Sequence, residues 1–150
     1  MGLDCSHGAW HGAYSAFMRW RTELAKIAGL PPLELMEGFF KPGPYGSLYF
    51  GQRVEDDLYA GKRARVSEGL PILWSCLKPS PLHELLYHSD CEGEIAADRC
   101  APIADALEAL IPLMPAGDGG GHIGNWRDKT AQFVAGLRSA AAANEPLDFH

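Results

Sequence analysis

Residues 6–32 read SHGAWHGAYSAFMRWRTELAKIAGLPP, and this stretch has the clearest helical pattern of the chain. Apolar and aromatic side chains recur every three or four positions, which places them along one side of an α-helix. The members of this stripe are Trp10, Tyr14, Phe17, Arg21, Leu24 and Ala28. Ser6 is a suitable N-cap, and Gly29 followed by two prolines ends the pattern. We therefore predict a first helix over residues 9–28.

Three further helices are predicted from their boundary residues. Ser80 can cap a helix whose first position is a proline, an arrangement that favours helix initiation. Asn125 can cap the last helix, with an acidic residue three positions later. Between them lies a third helical pattern that two nearby prolines end. These predicted helices cover residues 81–87, 97–111 and 126–143.

Residues 41–71 contrast with the helical segments. They are rich in glycine, proline and aromatic residues and show no sustained periodicity, which is typical of a loop-rich segment or a small β-hairpin. We therefore predict a mainly α fold of four to five helices around one core, with this small irregular or β-hairpin insertion. The chain of 150 residues has the size of one domain, so residues 1–150 are predicted to form a single domain.

Composition excludes several classes of function. The chain has a net charge of -6 and a pI of about 5.4, so it repels nucleic-acid polymers. No apolar run is long enough to cross a bilayer, and no secretion signal is evident. The four cysteines form no C-x-x-C motif, and reduced thiols are expected. These features predict a cytoplasmic protein that binds neither membranes nor nucleic-acid polymers.

The segment HELLYHSDCEG, residues 83–93, concentrates polar side chains. It differs from the zinc-protease motif because His83 and His88 are five positions apart, which leaves their rings about 140° apart on a helix. It also resembles a calcium-binding loop with Gly93 at the sharp bend, but Arg99 stands where that loop needs a bidentate glutamate. The segment is therefore interpreted as a tight turn, and the roles of His88 and Glu94 stay open.

A ligand-binding role follows from the charge on the helical stripe. Arg21 lies among apolar side chains, where a charge needs a partner or a ligand. Its planar guanidinium suits a phosphate or carboxylate, and neighbouring aromatic rings can stack on a flat ligand. The alternative is a buried salt bridge to a glutamate or an aspartate, for example Glu94 or Asp148. The predicted ligand-binding residues are Trp10, His11, Tyr14, Arg21, His88, Asp90, Glu94 and His150.

A metal site is the competing interpretation. His7 and His11 are four positions apart, so they share a face if the helix begins by His7. Together with His88 or Asp90 they would supply three zinc ligands and leave one open position, as in catalytic zinc sites. The simpler reading is that these histidines only form hydrogen bonds near a helix start. We expect that the protein has no cofactor, and a bound zinc ion is the alternative.

Three quoted segments carry a resemblance: GLDCSHGAWHGAYSAF at residues 2–17, LHELLYHSDCEGEI at residues 82–95 and EPLDFH at residues 145–150. They resemble a family of small uncharacterised proteins of bacteriophage and bacterial genomes. The resemblance covers both ends and the centre of the chain, and it implies a cytoplasmic, phage-borne protein without defining a catalytic residue.

These observations lead to a first hypothesis and two alternatives. The first is a small-ligand binding protein that sequesters a phosphorylated, nucleotide-like signalling metabolite. The second is a metal-dependent hydrolase with Glu94 as general base. The third is a non-catalytic interaction domain. The predicted partner is therefore an anionic small molecule, and a homo-oligomer is left open. All ligand-binding proposals require the first helix, residues 83–95 and the last residues to converge.

Overall fold

The computed structural model describes residues 2–40 and 70–150. The chain divides into two compact units, one of residues 1–28 and 80–150 and the other of residues 29–79. The prediction of a single domain stays a prediction. The predicted insertion at residues 41–71 lies, apart from its last two residues, outside the described part.

The first unit contains four α-helices within its described residues. Their bounds are α1 Tyr14–Ile27, α2 Leu82–Tyr87, α3 Ala97–Leu110 and α4 Trp126–Ala143. Helices α3 and α4 pack along each other. The Asn125 side chain accepts the Asp128 backbone N–H at 3.0 Å, which confirms the predicted cap of α4. None of these helices has both the length and the apolar character that crossing a lipid bilayer demands.

Within residues 2–40 and 70–150, four short antiparallel strands accompany these helices. They are β1 Leu3–Cys5, β2 Trp10–Gly12, β3 Glu94–Ile95 and β4 Leu147–Asp148. Strand β1 pairs with β2, and β3 pairs with β4. A bridge between Cys5 and Phe149 joins the two pairs, and Asp4 and His150 exchange both backbone hydrogen bonds at 2.8 and 2.9 Å. The resulting strand order is β2-β1-β4-β3, which we call the terminal sheet.

The terminal sheet corrects the predicted fold class. The fold is mixed α/β, with a four-stranded antiparallel sheet beside the helices, and the prediction of a mainly α fold is wrong. Strands of two or three residues are too short to show the alternation by which a strand is recognised. The sheet also joins residues near opposite ends of the sequence, such as Cys5 and Phe149. The pattern of neighbouring residues therefore does not predict this pairing.

The first helix is also shorter than predicted. It begins at Tyr14 rather than at residue 9, because residues 3–12 form a β-hairpin whose connection is a 3-10 turn at Ser6–Gly8. His7 and Gly8 have left-handed φ values of 56° and 67°, which an α-helix does not accommodate. Ser6 does not cap a helix, and its hydroxyl instead accepts the Asp148 backbone N–H at 2.9 Å.

The terminal sheet has one buried face and one polar face. Side chains on the buried face are Leu3, Cys5, Trp10, Ile95, Leu147 and Phe149. The buried rings belong to an aromatic cluster with centroid separations of 4.9 to 6.3 Å, formed by Trp10, Phe17, Trp20, Phe133 and Phe149. The polar face carries Asp4, His11, Glu94, Asp148 and His150. This alternation is the two-residue period of a strand, spread over four short strands.

The N-terminal hairpin lies very close to α4. A Cβ atom built on Gly136 would come within 2.4 Å of the Ala9 Cβ, and Ala9 is fully buried. Glycine inside a helix costs about 1 kcal/mol relative to alanine, so its presence here is explained by the close approach.

Hydrogen bonds join two segments of the second unit within the described residues. Met36 and Ile72 form a parallel bridge, and the Glu37 carboxylate accepts the Trp74 backbone N–H at 3.0 Å. The Trp74 indole N–H donates to the Glu37 carbonyl at 3.2 Å. These bonds hold two short 3-10 turns, Leu33–Leu35 and Trp74–Cys76.

Replacing Gly136 with alanine is predicted to destabilise the protein by about 1–3 kcal/mol, because the added methyl group overlaps Ala9. Helix propensity alone would give the opposite sign, a gain of about 1 kcal/mol. Urea denaturation of Gly136→Ala and of Ala135→Gly, an exposed neighbour on α4, separates the two effects. A stabilised Gly136→Ala variant would show that the hairpin does not need the close approach.

Candidate functional site

Two of the three segments expected to converge are joined by backbone hydrogen bonds, and the first helix reaches them through the Arg21 side chain. Residues 147–150 lie between β1 and β3, and the Phe149 N–H donates to the Gly93 carbonyl at 2.9 Å. Arg21 on α1 reaches the His88 carbonyl at 2.5 Å. Between these segments the rings of Trp10, Phe17 and Phe149 pack against one another, whereas the polar face of the terminal sheet carries exposed side chains.

Arg21 supports the fold at this junction. It is 2% exposed, and its guanidinium donates to the Leu86 carbonyl at 3.2 Å and to the His88 carbonyl at 2.5 Å. These carbonyls lie at the C-terminal end of α2, where a cation is favoured. Burial lowers the Arg21 pKa to about 10, and Asp90 opposes that effect. The charge on the apolar stripe is therefore bonded to backbone carbonyls, and neither predicted salt-bridge partner, Glu94 or Asp148, pairs with it among the described residues.

The two aromatic residues proposed to stack on a ligand differ in exposure. Trp10 is 1% exposed and packs against the Phe17 and Trp20 rings at 5.0 and 5.2 Å. It therefore belongs to the aromatic cluster and offers no open face. Tyr14 is half-buried at the first residue of α1, so it keeps some surface that a ligand can reach.

His88 is held from several sides. Its ring stacks on Phe149 with a centroid separation of 4.0 Å, and a Cβ atom on Gly93 would lie 3.3 Å from the ring. Its Nδ1 is 2.8 Å from the Ser89 carbonyl, and its Nε2 is 3.2 Å from the Glu94 carbonyl. Both ring nitrogens therefore face backbone oxygens of the turn, and neither is directed at a ligand.

Asp90 and Glu94 occupy different settings. Asp90 is half-buried and close enough to Arg21 to raise the pKa of that guanidinium. Glu94 is exposed on β3, directly opposite Asp148 on β4. Like charges directly opposite each other in a sheet are unfavourable, so this end of the polar face repels anions.

His11 and Asp4 form an accessible polar pair on the terminal sheet. They lie opposite each other on β2 and β1, and His11 Nδ1 contacts the Asp4 carboxylate. The His11 side chain is 86% exposed and that of Asp4 is 49% exposed. His150 is exposed on the other side of Asp4, with which it shares two backbone hydrogen bonds. The carboxylate fixes the imidazole orientation and leaves its Nε2 open to solvent.

The four candidate metal ligands have separate partners. His7 is 3.0 Å from a Glu145 carboxylate oxygen and 3.3 Å from the Ser139 hydroxyl, whereas His11 contacts Asp4. His88 faces backbone carbonyls, and Asp90 lies near Arg21. Within residues 2–40 and 70–150, no three His, Cys, Asp or Glu side chains are grouped so that they could hold a metal ion.

Two residues of α4 lie at the hairpin without having been singled out in the sequence. The Lys129 ammonium donates to the His11 carbonyl at 3.1 Å, and the Gln132 amide donates to the Gly8 carbonyl at 3.0 Å. Lys129 also lies 4.3 Å from the centroid of the Trp10 ring. Both are ordinary polar positions on an amphipathic helix, and only the packing of the hairpin on α4 gives them these contacts.

Comparison of the chain with known protein families, with curated proteins and with solved structures gives no match. The resemblance to small phage and bacterial proteins therefore stays a prediction.

Replacing Arg21 with methionine is predicted to lower the free energy of unfolding by about 2–4 kcal/mol, because two carbonyls at the end of α2 lose their donor. Arg19→Met is the matched control, since Arg19 is exposed on the same helix and lies 5.4 Å from the Trp126 ring. The control should cost less than about 1 kcal/mol. Equal stability of Arg21→Met and the parent protein in denaturant titrations would contradict the structural role.

The four thiols are predicted to fall into two reactivity classes. Cys5 and Cys100 are buried, and burial raises the Cys5 pKa to about 12, with a smaller contribution from Asp4. Burial also raises the Cys100 pKa, whereas Cys76 and Cys91 are exposed. Only the thiolate reacts, so the two exposed residues should react rapidly with a disulfide reagent and the others only on unfolding. Fast labelling of Cys5, read by mass spectrometry, would contradict this assignment.

Proposed function

We propose that the chain binds a small ligand at the N-terminal hairpin face, which we define as Asp4, His11, Tyr14, Lys129 and His150. A phosphorylated, nucleotide-like metabolite is the ligand class to test first, and sequestration without turnover is the proposed activity. The free cysteines support a cytoplasmic setting, since disulfides are rare there.

The observation that carries this proposal is the exposed, oriented imidazole of His11. Surface ion pairs contribute about 0–1 kcal/mol to stability, so the Asp4–His11 contact is not needed to hold the sheet. An imidazole fixed by a carboxylate presents one nitrogen in a defined direction, as the polar groups of a binding site do. The neighbouring His150 and half-buried Tyr14 add a second polar group and an aromatic ring.

The hairpin face supports a binding protein better than a metal-dependent hydrolase. A hydrolytic zinc site needs three converging ligands, and the candidates His7, His11, His88 and Asp90 contact different partners. Arg21, Trp10 and His88, which the sequence suggested as binding residues, are not part of this proposal, because their side chains contact the protein interior or backbone carbonyls.

A thermal-shift screen of nucleotides and phosphorylated metabolites is the test. A ligand at a hundred times its Kd should raise the Tm of the parent protein by roughly 5 °C or more. His11→Ala should lose most of that shift, because the oriented nitrogen is removed while the backbone pairing of β2 is kept. His122→Ala is the matched control, since His122 is an exposed histidine outside the hairpin face.

The recovered ligand should be chemically unchanged after long incubation, as sequestration requires. An equal shift in the parent protein and in His11→Ala would place the site elsewhere. The absence of any shift across the whole panel would count against small-ligand binding as the function.

A further inference from the structure

Lys129 is a half-buried cation of the hairpin face that has no ion pair among the described residues. It is half-buried in the first turns of α4, with its ammonium over the Trp10 ring and bonded to the His11 carbonyl. The ion pairs found among the described residues involve His7, His11, Arg99 and Arg138 as the cations. Within that part of the chain, therefore, no carboxylate pairs with Lys129.

Partial burial without a counter-charge disfavours the charged form of an amine. Burial accordingly lowers the Lys129 pKa below the ordinary lysine value. The ammonium has three N–H donors, and the His11 carbonyl accepts one of them. A bound anion would supply both the missing opposite charge and an acceptor for a remaining donor.

We propose that Lys129 holds the phosphate group of the ligand that binds the hairpin face, an inference that rests on the function proposed above. Lys129 takes the role that the sequence pattern suggested for Arg21. The His11 carbonyl that Lys129 contacts belongs to β2, and the imidazole of His11 lies on the polar face of the same strand. Tyr14, the first residue of α1, is the half-buried aromatic side chain assigned to stack on a base.

A single phosphate group fits this arrangement better than a phosphate polymer. The face offers one ammonium and the imidazoles of His11 and His150, whereas the chain as a whole carries a net charge of -6. A polyanion would also meet the opposed carboxylates of Glu94 and Asp148 along the same sheet. The ligand class is therefore a small phosphate monoester, such as a nucleoside monophosphate.

Isothermal titration of the full chain with four probes tests this assignment. The probes are adenosine 5′-monophosphate, adenosine, inorganic phosphate and succinate. Adenosine tests binding of the nucleoside without phosphate, inorganic phosphate tests the phosphate alone, and succinate tests whether a carboxylate binds as well. The variants are Lys129→Met, which keeps the aliphatic stem over Trp10, and Lys129→Arg, which keeps the charge. Lys26→Met is the matched control, because Lys26 is an exposed lysine at the end of α1.

The monophosphate should bind the parent protein more tightly than adenosine or succinate does. Lys129→Met should weaken that binding about tenfold or more, Lys129→Arg should restore part of it, and Lys26→Met should leave it unchanged. The Lys129 pKa, followed by NMR of the side chain, should rise on binding because the anion favours the ammonium.

The outcomes separate this inference from the proposed function. Binding of the monophosphate with equal affinity by Lys129→Met and the parent protein would overturn the role of Lys129 and leave the hairpin face as a binding site. Preference for adenosine or succinate would overturn the phosphate assignment alone. If neither these probes nor the wider nucleotide panel binds, the proposed function and this inference both fail.

Discussion

The close approach of the N-terminal hairpin to α4 is the constraint on which the rest of the first unit depends. It is made by Ala9 against Gly136, where a methyl group would overlap the hairpin backbone. At this separation Lys129 and Gln132 can reach hairpin carbonyls, and His7 can reach Ser139. Glycine is a poor helix former, but α4 has one at position 136 because any side chain there would overlap Ala9.

The hairpin then provides the edge on which the last residues pair. Strand β1 pairs with β2 on one side and with Phe149 and His150 on the other. Ser6, just after β1, accepts the Asp148 N–H, and β4 continues the sheet to β3. The segment of Phe149 therefore brings β1 and the turn at Gly93 together, while its ring joins the aromatic cluster and stacks on His88. Arg21 secures the same turn from α1, through the carbonyls at the end of α2. Polar groups in this region mostly serve the fold.

The hairpin face differs from this interior in what its polar groups do. His11, Asp4 and His150 lie on the solvent side of the terminal sheet, and Lys129 is a half-buried cation at its edge. Arg21 in the interior bonds to backbone carbonyls and so has a role in the folded state. The imidazole of His11 is exposed, and we propose a ligand site there. This contrast moves the proposed site from the buried cluster to the hairpin.

Sequence by itself determined the helices α2, α3 and α4, because capping residues, prolines and apolar periodicity act over a few neighbouring positions. It also indicated that Arg21, among apolar side chains, needs a partner. Only the tertiary structure decided that residues 10–12 form a strand, that Arg21 bonds to carbonyls 65 and 67 residues away, and that Lys129 meets His11 across 118 residues. Strands of two or three residues and contacts over such separations leave no local pattern, since their stability comes from pairing and packing between distant segments.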